Sequence, residues 1–163
     1  MTQVQLRPAV STDFVSIVAL ERATEYAPHW SPATYAAMLD TSGAELKRCI
    51  LVAVKGESLI GFAVGLMHPS QAEVDTSQSA RVAEVESVVV ATQARRLGIG
   101  RALCTAILNW VRTQGATEVV LEVRATSAAP IALYTALGFQ QTGRRRRYYR
   151  DPTDDALVMR LEL

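Results

Sequence analysis

Apolar and polar residues alternate from Val4 to Arg7 and the alternation stops at Pro8, which predicts a short strand. From Phe14 the spacing changes to that of a helix through Ile17, Val18, Leu20 and Glu21, with Ser11 or Thr12 placed to cap it. Ser31-Pro32, a serine followed by a proline suited to a first helical position, opens a second short helix carrying Tyr35, Met38 and Leu39. Two apolar runs, Cys49 to Val54 and Leu59 to Met67, flank Lys55-Gly56-Glu57-Ser58 and predict an antiparallel hairpin. The stretch from His68 to Ala80 is polar and reads as a loop. A strand from Arg81 to Val90 follows, then a helix from Gly98 to Val111, a strand from Glu118 to Arg124 and a helix from Pro130 to Leu137. The chain closes with strands over Gln140 to Tyr149 and Ala156 to Leu161.

This order predicts a mixed α/β fold of about six to seven strands and about four helices. The early strands meet through a hairpin and are antiparallel, whereas the strands flanking the Gly98–Val111 helix need a parallel crossover and form a central pair. With 163 residues, 49% of them hydrophobic, the chain suits one core, so residues 1–163 are expected to form a single domain. No apolar run approaches the roughly 18 to 20 residues of a membrane helix. Arg7 and Asp13 interrupt any signal-peptide core, so the expectation is a cytoplasmic protein without a membrane partner. Cys49 and Cys104 lie too far apart in sequence for a zinc pattern and read as buried thiols, not a disulfide. His29 and His68 have no partner at metal or triad spacing; no metal is expected.

Charge changes the picture more than composition does. The net charge is +1, yet residues 91–150 carry ten arginines against only Glu118 and Glu122. Such a half expects an anion. Direct nucleic-acid binding is not favoured, since there is no aromatic RNA-binding strand, zinc spacing or continuously basic helix. A small phosphorylated ligand or an acidic polypeptide satisfies the same charge.

The candidate anion site lies where the apolar strand ending Val88-Val89-Val90 runs through a polar turn into Arg95-Arg96-Leu97-Gly98-Ile99-Gly100-Arg101. A strand that stops, a glycine turn and a helix entered through it leave a row of free backbone N–H groups suited to a pyrophosphate. Taken alone this element admits a purely structural reading, with the glycines serving only a tight connection. It lacks the third glycine of the dinucleotide fingerprint and the Gly-Lys-Ser/Thr of a phosphate-binding loop.

A second element narrows this: Leu121-Glu122-Val123-Arg124, followed by Ala132-Leu133-Tyr134-Thr135-Ala136-Leu137-Gly138-Phe139 and by Arg147-Tyr148-Tyr149. Together with Arg95 to Gly100 the chain resembles the GNAT superfamily of N-acetyltransferases, and within it the RimI-type ribosomal-protein alanine N-acetyltransferases. The likeness is gap-free over Glu84 to Phe139, and Pro28-His29-Trp30-Ser31 is similar to the family's Pro-Trp-Ser with one residue more. The resemblance implies acetyl-CoA as co-substrate, with the backbone of Val88, Val89 and Val90 along the pantetheine and the amides from Arg96 to Arg101 on the pyrophosphate. It also implies Glu122 as base, Tyr134 as acid, and Ser127 as a cofactor contact where the family has asparagine.

Elementary chemistry asks for those two roles. An α-amino group has a pKa of about 7.7 to 8.0, so a base must take its proton, and a thiolate with a reference pKa of about 8.5 leaves more readily beside an acid. Each residue also has a plainer reading: Glu122 paired with Arg124 on one strand face, and Tyr134 packed beside Gly138-Phe139. Glu86 is a reserve base on the preceding strand, and the plainer, favoured reading of Glu84 and Glu86 is two solvated carboxylates on a sheet face. Arg144 to Arg147 would contact an acceptor or protect a sheet edge. The acceptor implied is a protein N-terminus, such as the N-terminal alanine of a ribosomal protein, reached by direct transfer in a ternary complex. A small-molecule amine is the enzymatic alternative and a non-catalytic acyl-CoA sensor the other; a monomer or weak homodimer is expected.

Overall fold

The computed structural model describes residues 3–40, 46–69 and 80–163. In chain order it shows β1 (Val4–Pro8), a 3-10 turn (Ser11–Asp13), α1 (Phe14–Arg22), α2 (Pro32–Leu39), β2 (Lys47–Lys55) and β3 (Ser58–Met67). Then come β4 (Val82–Val90), a second 3-10 turn (Thr92–Ala94), α3 (Ile99–Thr113), β5 (Glu118–Arg124), α4 (Ala128–Ala136), β6 (Gln140–Tyr149) and β7 (Asp154–Glu162). The expected mixed sheet is present, with seven strands in the order β1-β2-β3-β4-β5-β7-β6. Only β4 and β5 are parallel; the other neighbours are antiparallel. Most of the loop expected over His68 to Ala80 lies outside the described residues.

Two expectations about helix starts are corrected. Neither Ser11 nor Thr12 caps α1; its N-cap is Asp13, whose Oδ2 accepts the Val10 N–H at 2.8 Å. Arg7 donates to both oxygens of that carboxylate, at 2.7 and 2.9 Å, and holds it below the usual carboxylate range. An ionised carboxylate receives these three charge-assisted bonds at once, which a hydroxyl cannot. Helix α4 begins at Ala128, so Pro130 is its third residue and not its first. The first backbone bond of that helix is Ile131 N–H to Ser127 O at 3.1 Å, so the proline's missing N–H is one that had no partner to lose. The serine cap at Ser31 is present, its Oγ accepting the Thr34 N–H at 3.2 Å.

Strand alternation splits the core between the two faces of the sheet. Leu51, Ala53, Ala63, Ala83, Val85, Val119, Leu121 and Val123 join one cluster with Leu103, Cys104, Ile107, Leu108 and Val111 of α3. Ile50, Val52, Phe62 and Val64 point the other way, to Ile17 of α1 and Tyr35 of α2. Strand β4 changes sides midway: Val64 pairs with Ser87 and Gly65 with Val85, leaving Glu86 as an extra residue in a β-bulge. Because side chains alternate with period two, one extra residue flips all that follow. Val85 therefore lies on the α3 face and Val89 on the α1/α2 face, with Val88 and Val90 packed against the α3 cluster.

Helix α3 sits close on β3 because two positions there lack side chains. A Cβ at Gly65 would fall 2.8 Å from Ile107 Cγ2, and one at Gly61 would fall 3.2 Å from Leu103 Cδ1 and 3.3 Å from Ile99 Cγ2. Gly65→Ala is expected to lower stability by about 1–3 kcal/mol through overpacking, read as a lower midpoint in urea denaturation. An unchanged midpoint would show that α3 can lift away at no cost.

Candidate functional site

Strands β4 and β5 stay together for three residue pairs, Val82 with Glu118, Ala83 with Val119 and Glu84 with Val120, and then part. Beyond that point β4 continues with β3 as far as Val90, and β5 continues with β7 as far as Arg124. Val88, Val89 and Val90 therefore have a strand on one side and an opening on the other. An open strand edge presents backbone donors and acceptors that an extended ligand can pair with. The bulge at Glu86 bends β4 at the start of this opening.

At the end of β4 the chain enters the glycine turn. Arg96 and Gly98 both adopt left-handed backbone, at φ 61° and 77°. The first bond inside α3 is Ala102 N–H to Gly98 O at 2.9 Å, which leaves the N–H groups of Ile99, Gly100 and Arg101 without helical acceptors, and no side chain caps them. Ile99 is buried and fixes the helix start, whereas Leu97 is 67% exposed. Gly98 fits the tight connection through its left-handed backbone, but neither glycine is required by close packing. A Cβ at Gly98 would meet nothing within 4 Å, and one at Gly100 would make only ordinary contacts with Leu133 and Val90. The turn borders open space, and among the described residues no carboxylate pairs with Arg95, Arg96 or Arg101. Arg95 instead donates from Nε to the Val90 carbonyl at 3.3 Å. Ser127 is the N-cap residue of α4, and its hydroxyl makes no cap bond.

The α1/α2 face of the opening is acidic. Glu122 alternates with Leu121 and Val123, which lie in the α3 cluster, so its carboxylate lies on the opposite face. Arg124 does not pair with it, so the plainer reading of an ion pair along one strand is corrected. Strands twist, and Arg124 is drawn instead over the rings of Tyr26 and Tyr149, 4.9 and 4.2 Å from their centroids, with Nη1 donating to the Pro152 carbonyl at 2.9 Å. The cation on Glu122 is Arg145 of β6, Nε to Oε1 at 2.7 Å. Tyr148 also bonds to Glu122, which raises the phenol's pKa. Burial, with Glu122 second, pushes Tyr149 up to about 12.

Glu84 and Glu86 are not simply solvated, as one expectation had it. Arg48 of β2 reaches Glu86 through Nε and Nη2 at 2.8 and 3.1 Å, and His68 Nε2 lies 3.1 Å from Glu84 Oε2. Burial raises the pKa of Glu84, with the charge of Glu86 adding to it and His68 opposing it. His68 thus has a partner from a neighbouring strand that sequence spacing could not reveal. The loop that carries Tyr26 is fastened by Glu21, fully buried, whose Oε1 accepts the Trp30 N–H at 3.1 Å. His29, the additional residue of that loop, takes left-handed backbone at φ 54°.

Tyr134 of α4 lies in the α3 cluster, on the other face of the sheet from Glu122 and only 9% exposed. Burial raises its pKa, with Cys104 and then Tyr149 contributing, so the phenol holds its proton. Its ring meets Phe139 edge-on with centroids 5.9 Å apart. Glu122 and Tyr134 thus lie on opposite faces of the sheet. Arg48 and the buried, unpartnered Ser87 Oγ were absent from the sequence candidates, and Arg124 and Arg145 were named there without the partners the structure gives them. Their partners lie on strands and loops that only folding brings near, although Tyr148-Tyr149 belonged to the motif already noted.

Both cysteines are free, with burial pushing Cys49 up to about 11 and Cys104 to about 12. Among the described residues no cluster could hold a metal, and no helix is long and apolar enough to cross a membrane.

Comparison with known proteins identifies the family and the fold. The sequence profile of the acetyltransferase (GNAT) family matches residues 15–139, and the chain belongs to that family. The [ribosomal protein bS18]-alanine N-acetyltransferase of Escherichia coli is 39% identical over 79 residues, 47% of this chain and 53% of that protein. The chain thus spans about half the length of the curated relatives it matches. The crystal structure of the ribosomal-protein-S18-alanine N-acetyltransferase from Escherichia coli superposes with a TM-score of 0.76 at 26% identity, covering 98% of this chain and 94% of that one. Arabidopsis thaliana NAA60 in complex with acetyl-CoA shares the fold, with a TM-score of 0.83 at 17% identity over 99% of this chain and 100% of that one.

Gly98→Ala is expected to cost about 1–2 kcal/mol, because the left-handed conformation penalises a Cβ even where space is open. Urea denaturation reads this, and equal midpoints for variant and parent would refute it.

Proposed function

We propose that this GNAT-family member is an acetyl-CoA-dependent N-acetyltransferase acting on a protein N-terminal amine, such as the N-terminal alanine of a ribosomal protein, in a ternary complex without a covalent enzyme intermediate. One observation carries the reading: the opening between β4 and β5 lies next to both an anion cradle at the start of α3 and a sheet face that carries Glu84, Glu86 and Glu122. The free N–H groups of Ile99, Gly100 and Arg101 suit a pyrophosphate, and Arg96 and Arg101 add charge beside it. Open space at Gly98 leaves room for one. The edge of Val88 to Val90 suits the amide-bearing arm of pantetheine. Ser127 has its hydroxyl free for a cofactor contact, shorter in reach than an asparagine.

When bound, acetyl-CoA supplies an acetyl group activated as a thioester. On the acceptor side Glu122 binds the ammonium and takes its proton at a carboxylate oxygen, directly or through one water. On the other side Tyr134 gives its proton at Oη to the departing sulfur, and burial keeps that proton in place beforehand. Glu86, held by two bonds from Arg48, is the less available carboxylate. Sequence matching to alanine N-acetyltransferases supports the protein acceptor, and the absence of a membrane-length helix among the described residues is compatible with a cytoplasmic partner.

The test is release of free CoA from acetyl-CoA with peptides beginning Ala, Ser, Thr or Met, set beside polyamines and aminoglycosides. Turnover of N-terminal peptides supports the proposal; turnover of polyamines alone assigns the small-molecule alternative, and binding without release assigns a sensor. Glu122→Gln and Tyr134→Phe are each expected to lower kcat/KM by roughly 10²–10⁴. A change within about twofold would remove that residue from the mechanism.

A further inference from the structure

The cation on Glu122 differs in kind from those on its neighbours. Glu86 is held in two bonds by Arg48, from a strand inside the sheet, and Glu84 by His68. Glu122 takes its cation from β6, the edge strand, through a single contact at 2.7 Å in which the arginine side chain is 59% exposed and the glutamate 25%. A solvent-facing pair of this kind is worth little net free energy and is readily exchanged. The edge strand is nevertheless shaped to present it. Regular pairing of β6 with β7 breaks after Arg145 opposite Ala156 and resumes only at Tyr149 opposite Asp154. Within the break Arg147 takes left-handed backbone at φ 48° and its N–H donates to Asp155 Oδ1 at 2.8 Å, while Arg144 Nε donates to Oδ2 at 2.6 Å. Asp155 thus fastens the segment on both sides of Arg145, whose guanidinium lies 5.7 Å from the Tyr148 ring centroid.

We propose that Arg145 stands in for the acceptor's ammonium ion, capping Glu122 in the free protein and giving up that carboxylate to the incoming amine, so that residue 145 sets acceptor affinity. The exchange replaces one cation by another, and a partly buried carboxylate is never left unpaired. The displaced guanidinium keeps the contact with the Tyr148 ring that it already makes at 5.7 Å in the capped state. An uncharged acceptor group has no means to displace it, so the device favours amines that arrive protonated. This inference rests on the acetyl-transfer reading above.

The test compares the parent, Arg145→Gln and Arg145→Lys with an N-terminal peptide that the parent acetylates. Arg145→Gln is expected to lower the acceptor KM about two- to fivefold and leave the acetyl-CoA KM unmoved, while Arg145→Lys stays near the parent. Calorimetric titration with the same peptide should show the same tightening, and no tightening when Arg145→Gln is made in a Glu122→Gln background. An acceptor KM that rises or stays put in Arg145→Gln, or an equal shift in the Glu122→Gln background, overturns the exchange. If the parent itself releases no CoA with any amine, the acetyl-transfer reading falls first and the exchange with it, a result distinct from any failure of the variants.

Discussion

The parting of β4 from β5 is the constraint on which the rest of the site depends. A parallel pair that ran its full length would satisfy its own backbone groups and leave nothing for a ligand. Here pairing ends at Glu84 and Val120, while on their other edges β4 continues with β3 and β5 with β7. The bulge at Glu86 bends β4 at that point and also turns Ser87 and Val89 to the face that carries the carboxylates. One extra residue thereby sets both the opening and what faces it.

The opening needs a rigid frame, and helix α3 supplies it. Its buried face, Ile99, Leu103, Cys104, Ile107, Leu108 and Val111, lies along β3 where Gly61 and Gly65 admit close approach. Because the first of these contacts is Ile99, the helix start is fixed against the sheet and its free N–H groups are held at the end of β4. The packing of a fifteen-residue helix and the placing of three backbone donors are the same event. Left-handed backbone at Gly98 is what lets the chain turn into that helix directly.

Charge then divides the two faces. Arg95, Arg96 and Arg101 at the turn pair with no carboxylate among the described residues, whereas Arg48, Arg144 and Arg145 are each matched to one. The arginines thus fall into two populations, one without a carboxylate partner among the described residues and one that organises acidic side chains. The fully buried Glu21 and the stack of Arg124 between Tyr26 and Tyr149 tie the α1–α2 loop to the end of β6, so the two segments bordering the acidic face are held as one wall.

Element order and type, the parallel central pair and the location of the glycine turn were legible in the sequence, because period-two and period-3.6 patterns and turn residues are local properties. The bounds of β5 and β6 were legible to the residue, while the N-cap of α1 and the first residue of α4 were misplaced, since a 3-10 turn held by Asp13 against Arg7 and a proline that tolerates the third position are decided by neighbours outside the helix. Glu122 and Tyr134 could be singled out by their motif, but not their placement on opposite faces of the sheet, nor the pairing of Glu122 with Arg145 instead of Arg124. Those follow from where two strands part and how an edge strand bulges, and such long-range geometry leaves no trace in local spacing. By itself the sequence determined which elements form and which chemical groups are available; only the tertiary structure decided which of those groups meet, because contact across a sheet depends on register and twist.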